Sequence, residues 1–134
     1  MTMTLKQYFE TASGTGVLAT ADANGKVDAA IYSTPHVMDD GTVAFIMRER
    51  LTHENLQSNP FATYLFQENV PGHKGLRLYL KKTREDDNPE LIRSMTRRRL
   101  SPELDAQKGP KYLVYFGVEK ILPLIGSGAA LVTP

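Results

Sequence analysis

The sequence predicts a mainly β domain with short helices, of the α+β class and antiparallel in its pairing. Three observations carry that reading. Asn24-Gly25 and Asp39-Asp40-Gly41 are tight-turn signals that divide residues 17–47 into three short strands, a meander. Residues 75–83 alternate, with Leu76, Leu78 and Leu80 against Arg77, Tyr79 and Lys81, so one face is buried and one is wet. Helical spacing is confined to short stretches that carry their own start signals. At 134 residues the chain is long enough for one core and too short for two, so residues 1–134 form a single domain.

Thr4-Leu5-Lys6-Gln7 has the form of a capping box, and Leu5, Tyr8, Phe9 and Ala12 recur at helical spacing, which predicts a helix over residues 4–12. Gly14 or Gly16 should end it, with Gly14-Thr15-Gly16 as a turn. Strands follow at 17–21, 27–34 and 43–47. Residues 67–74 read as a polar loop and 84–87 as a charged bend. Asn88 as cap and Pro89 at the first helical position start a helix to about Leu100, with Leu91, Ile92 and Met95 buried. Arg97-Arg98-Arg99 would then complement the helix dipole in its last turn. Residues 100–111 form a loop rich in turn residues. Residues 112–118, YLVYFGV, are apolar on both faces, as in a strand that is central or covered by a partner. Residues 121–125 extend that pattern past Pro123, and Gly126-Ser127-Gly128 opens a small-residue tail.

Residues 43–65 organise the rest. An apolar strand runs into Arg48-Glu49-Arg50, then into a short helix that Pro60 stops, and 61–66 is extended again. Thr52 has the chemistry of an N-cap, and Leu51 and Leu56 stand at hydrophobic-staple spacing. Free amides at a helix start beside two guanidinium groups can hold an anion such as a phosphate. Ala29, Ala30 and Ser33 are small for strand positions, which fits close packing or a flat ligand lying on the strand.

The remaining composition excludes more than it selects. A net charge of +1 gives no electrostatic case for nucleic acid or an anionic membrane. With no cysteine, disulfides and thiol catalysis are ruled out for this chain. No apolar run has the length of a membrane span and no leader pattern is read at the N-terminus, so the cytoplasm is the expected location. His36, His53 and His73 fall on separate segments without ligand spacing, and Ser127 lacks the surroundings of a nucleophile elbow. No metal site and no catalytic side chain are expected.

The order of these pieces resembles the pyridoxamine 5'-phosphate oxidase-like FMN-binding family, whose fold is an antiparallel split β-barrel. The likeness rests on residues 17–21 and 29–33, the Asp40-Gly41 turn, residues 43–47, Arg50-Leu51-Thr52 and LQSNPFATYLF. It is densest over residues 17–66, and 75–80 and 112–122 look like the later strands. The resemblance implies FMN at a homodimer interface. The isoalloxazine ring would lie along Ala29, Ala30, Ile31, Tyr32 and Ser33, and Met47, Arg48, Arg50, Leu51 and Thr52 would surround the phosphate. Many members carry Lys directly before that Thr, where this chain has Leu51. The basic residues near the C-terminus that grip vitamin B6 are missing, since no Arg or His follows Arg99. The arginine that those oxidases carry in the second strand is absent as well. The resemblance therefore implies FMN binding without pyridoxamine phosphate oxidation.

The expected function is a small oxidoreductase or flavin reductase working with a small-molecule electron donor or acceptor. A non-catalytic FMN or phosphorylated-ligand carrier, and more remotely a haem-handling protein, are the alternatives. Ser33 and Tyr32 are placed to donate hydrogen bonds to ring atoms.

Overall fold

The computed structural model describes residues 3–97, 100–128 and 130–134. In chain order the elements are β1 (Met3–Thr4), α1 (Leu5–Thr11), β2 (Gly14–Ala21), β3 (Val27–Tyr32), β4 (His36–Val37), β5 (Val43–Arg48), α2 (Leu51–Ser58), β6 (Phe61–Glu68), β7 (Gly75–Asp86), α3 (Pro89–Met95), α4 (Pro102–Gln107), β8 (Lys111–Pro123) and β9 (Val132–Thr133). Seven strands form one curled sheet in the order β3-β2-β6-β7-β8-β5-β4, and β1 and β9 make a separate parallel pair. All ladders of the large sheet are antiparallel, so the mainly β, antiparallel expectation holds.

The curl closes on an apolar interior. Leu18, Tyr64, Phe66, Leu78, Leu80, Val114, Phe116 and Phe45 alternate inward along their strands, and Leu5 and Tyr8 of α1 pack onto them. The two sides of the sheet approach through rings: Tyr32 of the edge strand β3 stands 6.0 Å from Phe45 of β5, the neighbour of the other edge strand, β4. α2 helps fill the gap between them, tied to β2 by Asn55, which donates to the buried Thr20 hydroxyl at 3.1 Å.

The capping box at Thr4 and Gln7 and the Asn88–Pro89 helix start are present as the sequence predicts. Gly25 and Gly41 adopt φ of 83° and 86°, the left-handed conformation their turns require. Other expectations give way. Gly14 and Gly16 sit inside β2, and Ala12 ends α1. A Cβ on Gly14 would lie 2.0 Å from the Gln67 carbonyl oxygen, so these glycines serve close packing. β7 runs on through residues 84–86, beyond the irregularity near Thr83, because β8 continues beside it as partner. α3 ends at Met95, which leaves Arg97 outside the helix, while Arg98 and Arg99 lie outside the described residues. Within 100–111 stands α4, started by the Ser101 hydroxyl and Pro102. Residues 112–118 and 121–123 form one strand, β8, between β7 and β5. Both of its faces are covered from within the chain. Val114 and Phe116 enter the barrel core, and Leu113 and Tyr115 pack with Ala44 under Ile92 of α3. Its apolarity needs no partner subunit.

Candidate functional site

β5 leaves the core at Arg48, the chain bends through Glu49 and Arg50, and α2 begins at Leu51. The residue at the N-cap position is Arg50, whose extended backbone carries no side-chain cap. Thr52 is therefore the second helical residue, buried at 3% exposure, and not the cap. Leu51 is 52% exposed while Leu56 is buried, so the staple does not form either. The first amides of α2 consequently lack the side-chain acceptor that most helix starts supply.

This bend faces β3 across a groove of about 450 Å³, lined by Asp28, Ala30, Ile31, Tyr32, Ser33, Ile46, Met47, Arg48, Arg50, Leu51, Thr52 and Lys108. Every predicted site residue is there except Ala29. Alternation explains the exception, because Asp28, Ala30 and Tyr32 share the groove side of β3 while Val27, Ala29 and Ile31 point outward. Ile31, 72% exposed, lies on the rim between groove and outer face. Met47 is 2% exposed and packs in the core, so little of it reaches the groove.

Arg48 lines the groove, yet its guanidinium is engaged elsewhere. It donates to the Asp105 carboxylate at 2.7 Å and to the Gly109 carbonyl at 2.8 Å. Asp105 also meets Lys111 at 3.0 Å. These contacts anchor α4, whose C-cap residue, Lys108, thereby reaches the groove. The exposed cations are Arg50 and Lys108, neither of which pairs with a carboxylate among the described residues, a set that includes every Asp and Glu. Burial raises the Tyr32 phenol above its ordinary value, against the opposing influence of the Thr52 hydroxyl and the Arg50 charge. Tyr32 thus stays a neutral hydrogen-bond donor at physiological pH.

Lys108, Asp28 and Ile46 were missed from the sequence. The signal for Lys108 was Ser101-Pro102-Glu103, a helix start hidden in what reads as a loop. Asp28 could have been found by following Ala30 and Tyr32 back two residues along the same face.

His53 was also misjudged as one of three scattered histidines. It is 4% exposed at the first turn of α2, with Nδ1 at 2.9 Å from Glu49 and Nε2 at 2.6 Å from Glu85. Tyr112 stacks on its ring at 4.0 Å and donates to the other oxygen of Glu49 at 2.9 Å. This network braces the bend from behind. Among the described residues no group of three or more His, Asp or Glu side chains is arranged to hold a metal ion. None of their helices is long and apolar enough to cross a membrane.

No protein-family model matches the chain, and no curated protein sequence does. Solved structures do. An FMN-binding protein from Syntrophomonas wolfei superposes with a TM-score of 0.70 at 21% identity, covering 90% of this chain and 84% of its own. HupZ of Group A Streptococcus gives 0.68 at 18% identity, over 94% and 95% of the two chains. A candidate pyridoxamine 5'-phosphate oxidase from Lactobacillus delbrueckii gives 0.65 at 16% identity, over 90% and 93%. The chain has the split-barrel fold of the pyridoxamine 5'-phosphate oxidase-like proteins.

Proposed function

We propose that the chain is a homodimeric FMN-binding flavoprotein, a small oxidoreductase or flavin reductase. The observation that supports this most is the convergence of Ala30, Tyr32, Ser33, Arg50, Thr52 and Lys108 on one groove at the uncapped start of α2. On this reading the phosphate meets the free amides of α2 together with Arg50 and Lys108. Ala30 leaves room for a flat ring against β3, and Tyr32 and Ser33 supply hydrogen bonds to it. The bound flavin would provide electron transfer at its own ring, while the chain orients it and adjusts its electronics. The Syntrophomonas wolfei protein that shares the fold is an FMN-binding protein, which agrees with this choice of cofactor.

The purified protein should be yellow and release FMN on denaturation. Arg50→Ala should weaken FMN binding by about ten- to a hundredfold, the worth of a hydrogen bond to a charged group. Riboflavin, which lacks the phosphate, should bind both forms alike. Equal losses for the two ligands would show that the bend only shapes the groove, and a colourless protein that ignores micromolar FMN would end the proposal. Anaerobic reduction of the loaded protein by NADH or NADPH separates a reductase from a carrier, which only dithionite would reduce.

A second copy fits the outer face of the β3-β2-β6 sheet. Register sets Ile31 beside Val17 and Val17 beside Leu65, and Val27 and Phe61 are also exposed there, at 83% and 53%. This apolar face continues into the groove through Ile31, so a partner lying on it would help enclose the flavin. Ile31→Glu should convert a dimer into a monomer in sedimentation and lower FMN affinity together. A native protein that is monomeric at tens of micromolar yet binds FMN fully would refute the dimer.

A further inference from the structure

Next to the groove lies another cavity, of about 340 Å³, lined by Tyr32, Ser33, Thr34, His36, Phe45, Ile46, Thr96 and Arg97. Tyr32, Ser33 and Ile46 border both spaces. The guanidinium of Arg97, held in place by backbone carbonyls, donates to Thr34 at 2.5 Å and to Pro35 at 3.2 Å. Those bonds fix its position without neutralising it. No carboxylate pairs with it among the described residues, which include every Asp and Glu of the chain. Arg97 as a residue is exposed, but its guanidinium lines the cavity, and an anion entering there would gain charge-assisted hydrogen bonds from it. The guanidinium has five N–H donors, and two carbonyls leave several of them unused.

We propose that the Arg97 cavity receives the carboxylate of a small organic acid, and so sets that acid beside the groove as its second ligand. The placement beside a flavin rests on the proposed function above; the carboxylate site itself stands on the cavity. A single charge is favoured over a phosphate dianion because, among the described residues, Arg97 is the one cation lining the space. The other basic group, His36, approaches Arg97 through Nδ1 at 3.5 Å. Burial first, and the Arg97 charge second, lower its pKa to about 4, so it is neutral at physiological pH. Phe45 and Ile46 give the site an apolar wall, which suits the hydrocarbon part of an organic acid.

Benzoate, its uncharged analogue benzamide and inorganic phosphate are the probes, each titrated into the flavin-free protein and followed by amide shifts in two-dimensional NMR. Benzoate should move the amides of Ser33, Thr34, His36 and Arg97, and bind at least about tenfold more tightly than benzamide or phosphate. Arg97→Gln should lose that preference, whereas Arg97→Lys, which keeps the charge, should retain part of it. Both variants should bind FMN as the native protein does, since Arg97 does not touch the groove. With FMN bound, benzoate should perturb the visible absorption of the flavin. If FMN does not bind but benzoate prefers the native cavity, the carboxylate site stands and the flavin reading falls. Equal binding of benzoate and benzamide, tighter binding of phosphate, or undiminished benzoate binding by Arg97→Gln would overturn the proposal.

Discussion

Gly16→Ala should destabilise the protein by about 3–5 kcal/mol in urea denaturation, combining the strain of an overpacked core with the loss of a buried hydrogen bond. A Cβ at Gly16 would lie 1.8 Å from the Tyr64 hydroxyl oxygen and 2.7 Å from the Tyr32 carbonyl oxygen. Neither neighbour is free to retreat. Tyr64 is fully buried, with its ring 5.0 Å from Phe45, and its hydroxyl lies 3.2 Å and 3.0 Å from the Tyr32 and Ser33 carbonyl oxygens it serves as donor. Tyr32 is a register partner of Gly16 across the β2–β3 ladder. The strain should therefore spread to the Tyr32–Ser33 wall of the groove and weaken ligand binding as well. Tyr64→Phe removes the nearer clash, the oxygen, and leaves the ring carbon that bore it 2.3 Å from the added Cβ, so the double variant should be somewhat less destabilised than the two single changes added together. A Gly16→Ala protein within about 1 kcal/mol of native would mean that β2 shifts easily, and would undo the argument.

That contact also shows where the sequence stops being legible. The hairpin turns, the Thr4 capping box and the Asn88–Pro89 helix start are local, because the residues that make them are neighbours in the chain. They emerge as expected. Gly14 and Gly16 look local too, but their reason lies some fifty residues away, at Gln67 and Tyr64. Arg48 failed in the same manner: an arginine at an anion-binding bend is indistinguishable in sequence from one that anchors a helix through Asp105. The groove itself was readable because strand alternation and the strand-to-helix bend are both short-range patterns. The capping of α2 was not, since Thr52 has the chemistry of a cap but stands two residues past Arg50, which takes the N-cap position. His53 is the extreme case, as nothing near it in the chain announces Glu85 or Tyr112.

His53→Leu should cost about 3 kcal/mol of stability, the scale of a buried side chain losing its hydrogen bonds to charged groups. Hydrogen bonding and nearby charge hold the carboxylates in their ionised form. Glu85 is pushed down to about 2, burial being outweighed by hydrogen bonds from His53, Lys82 and Gln57. Glu49 is lowered by hydrogen bonds from His53 and Tyr112. Each of these carboxylates faces one imidazole nitrogen, Glu49 at Nδ1 and Glu85 at Nε2. The ring thereby ties the first turn of α2 to β7. Without it, Glu85 keeps Lys82 and Gln57 but loses its closest partner, at 2.6 Å, and Tyr112 loses the ring stacked on it. Glu49 would then be held only by the Tyr112 hydroxyl, and the bend that presents Arg50 would loosen, lowering affinity for a phosphorylated ligand more than for its dephosphorylated form. Adding Glu85→Gln to His53→Leu should recover at least about 1 kcal/mol relative to the summed single effects, because a neutral amide costs less than a carboxylate to leave without that partner. Urea denaturation of the four proteins in that cycle measures the coupling directly. Strict additivity, or a His53→Leu protein as stable as native, would show that the imidazole merely fills space between the bend and β7.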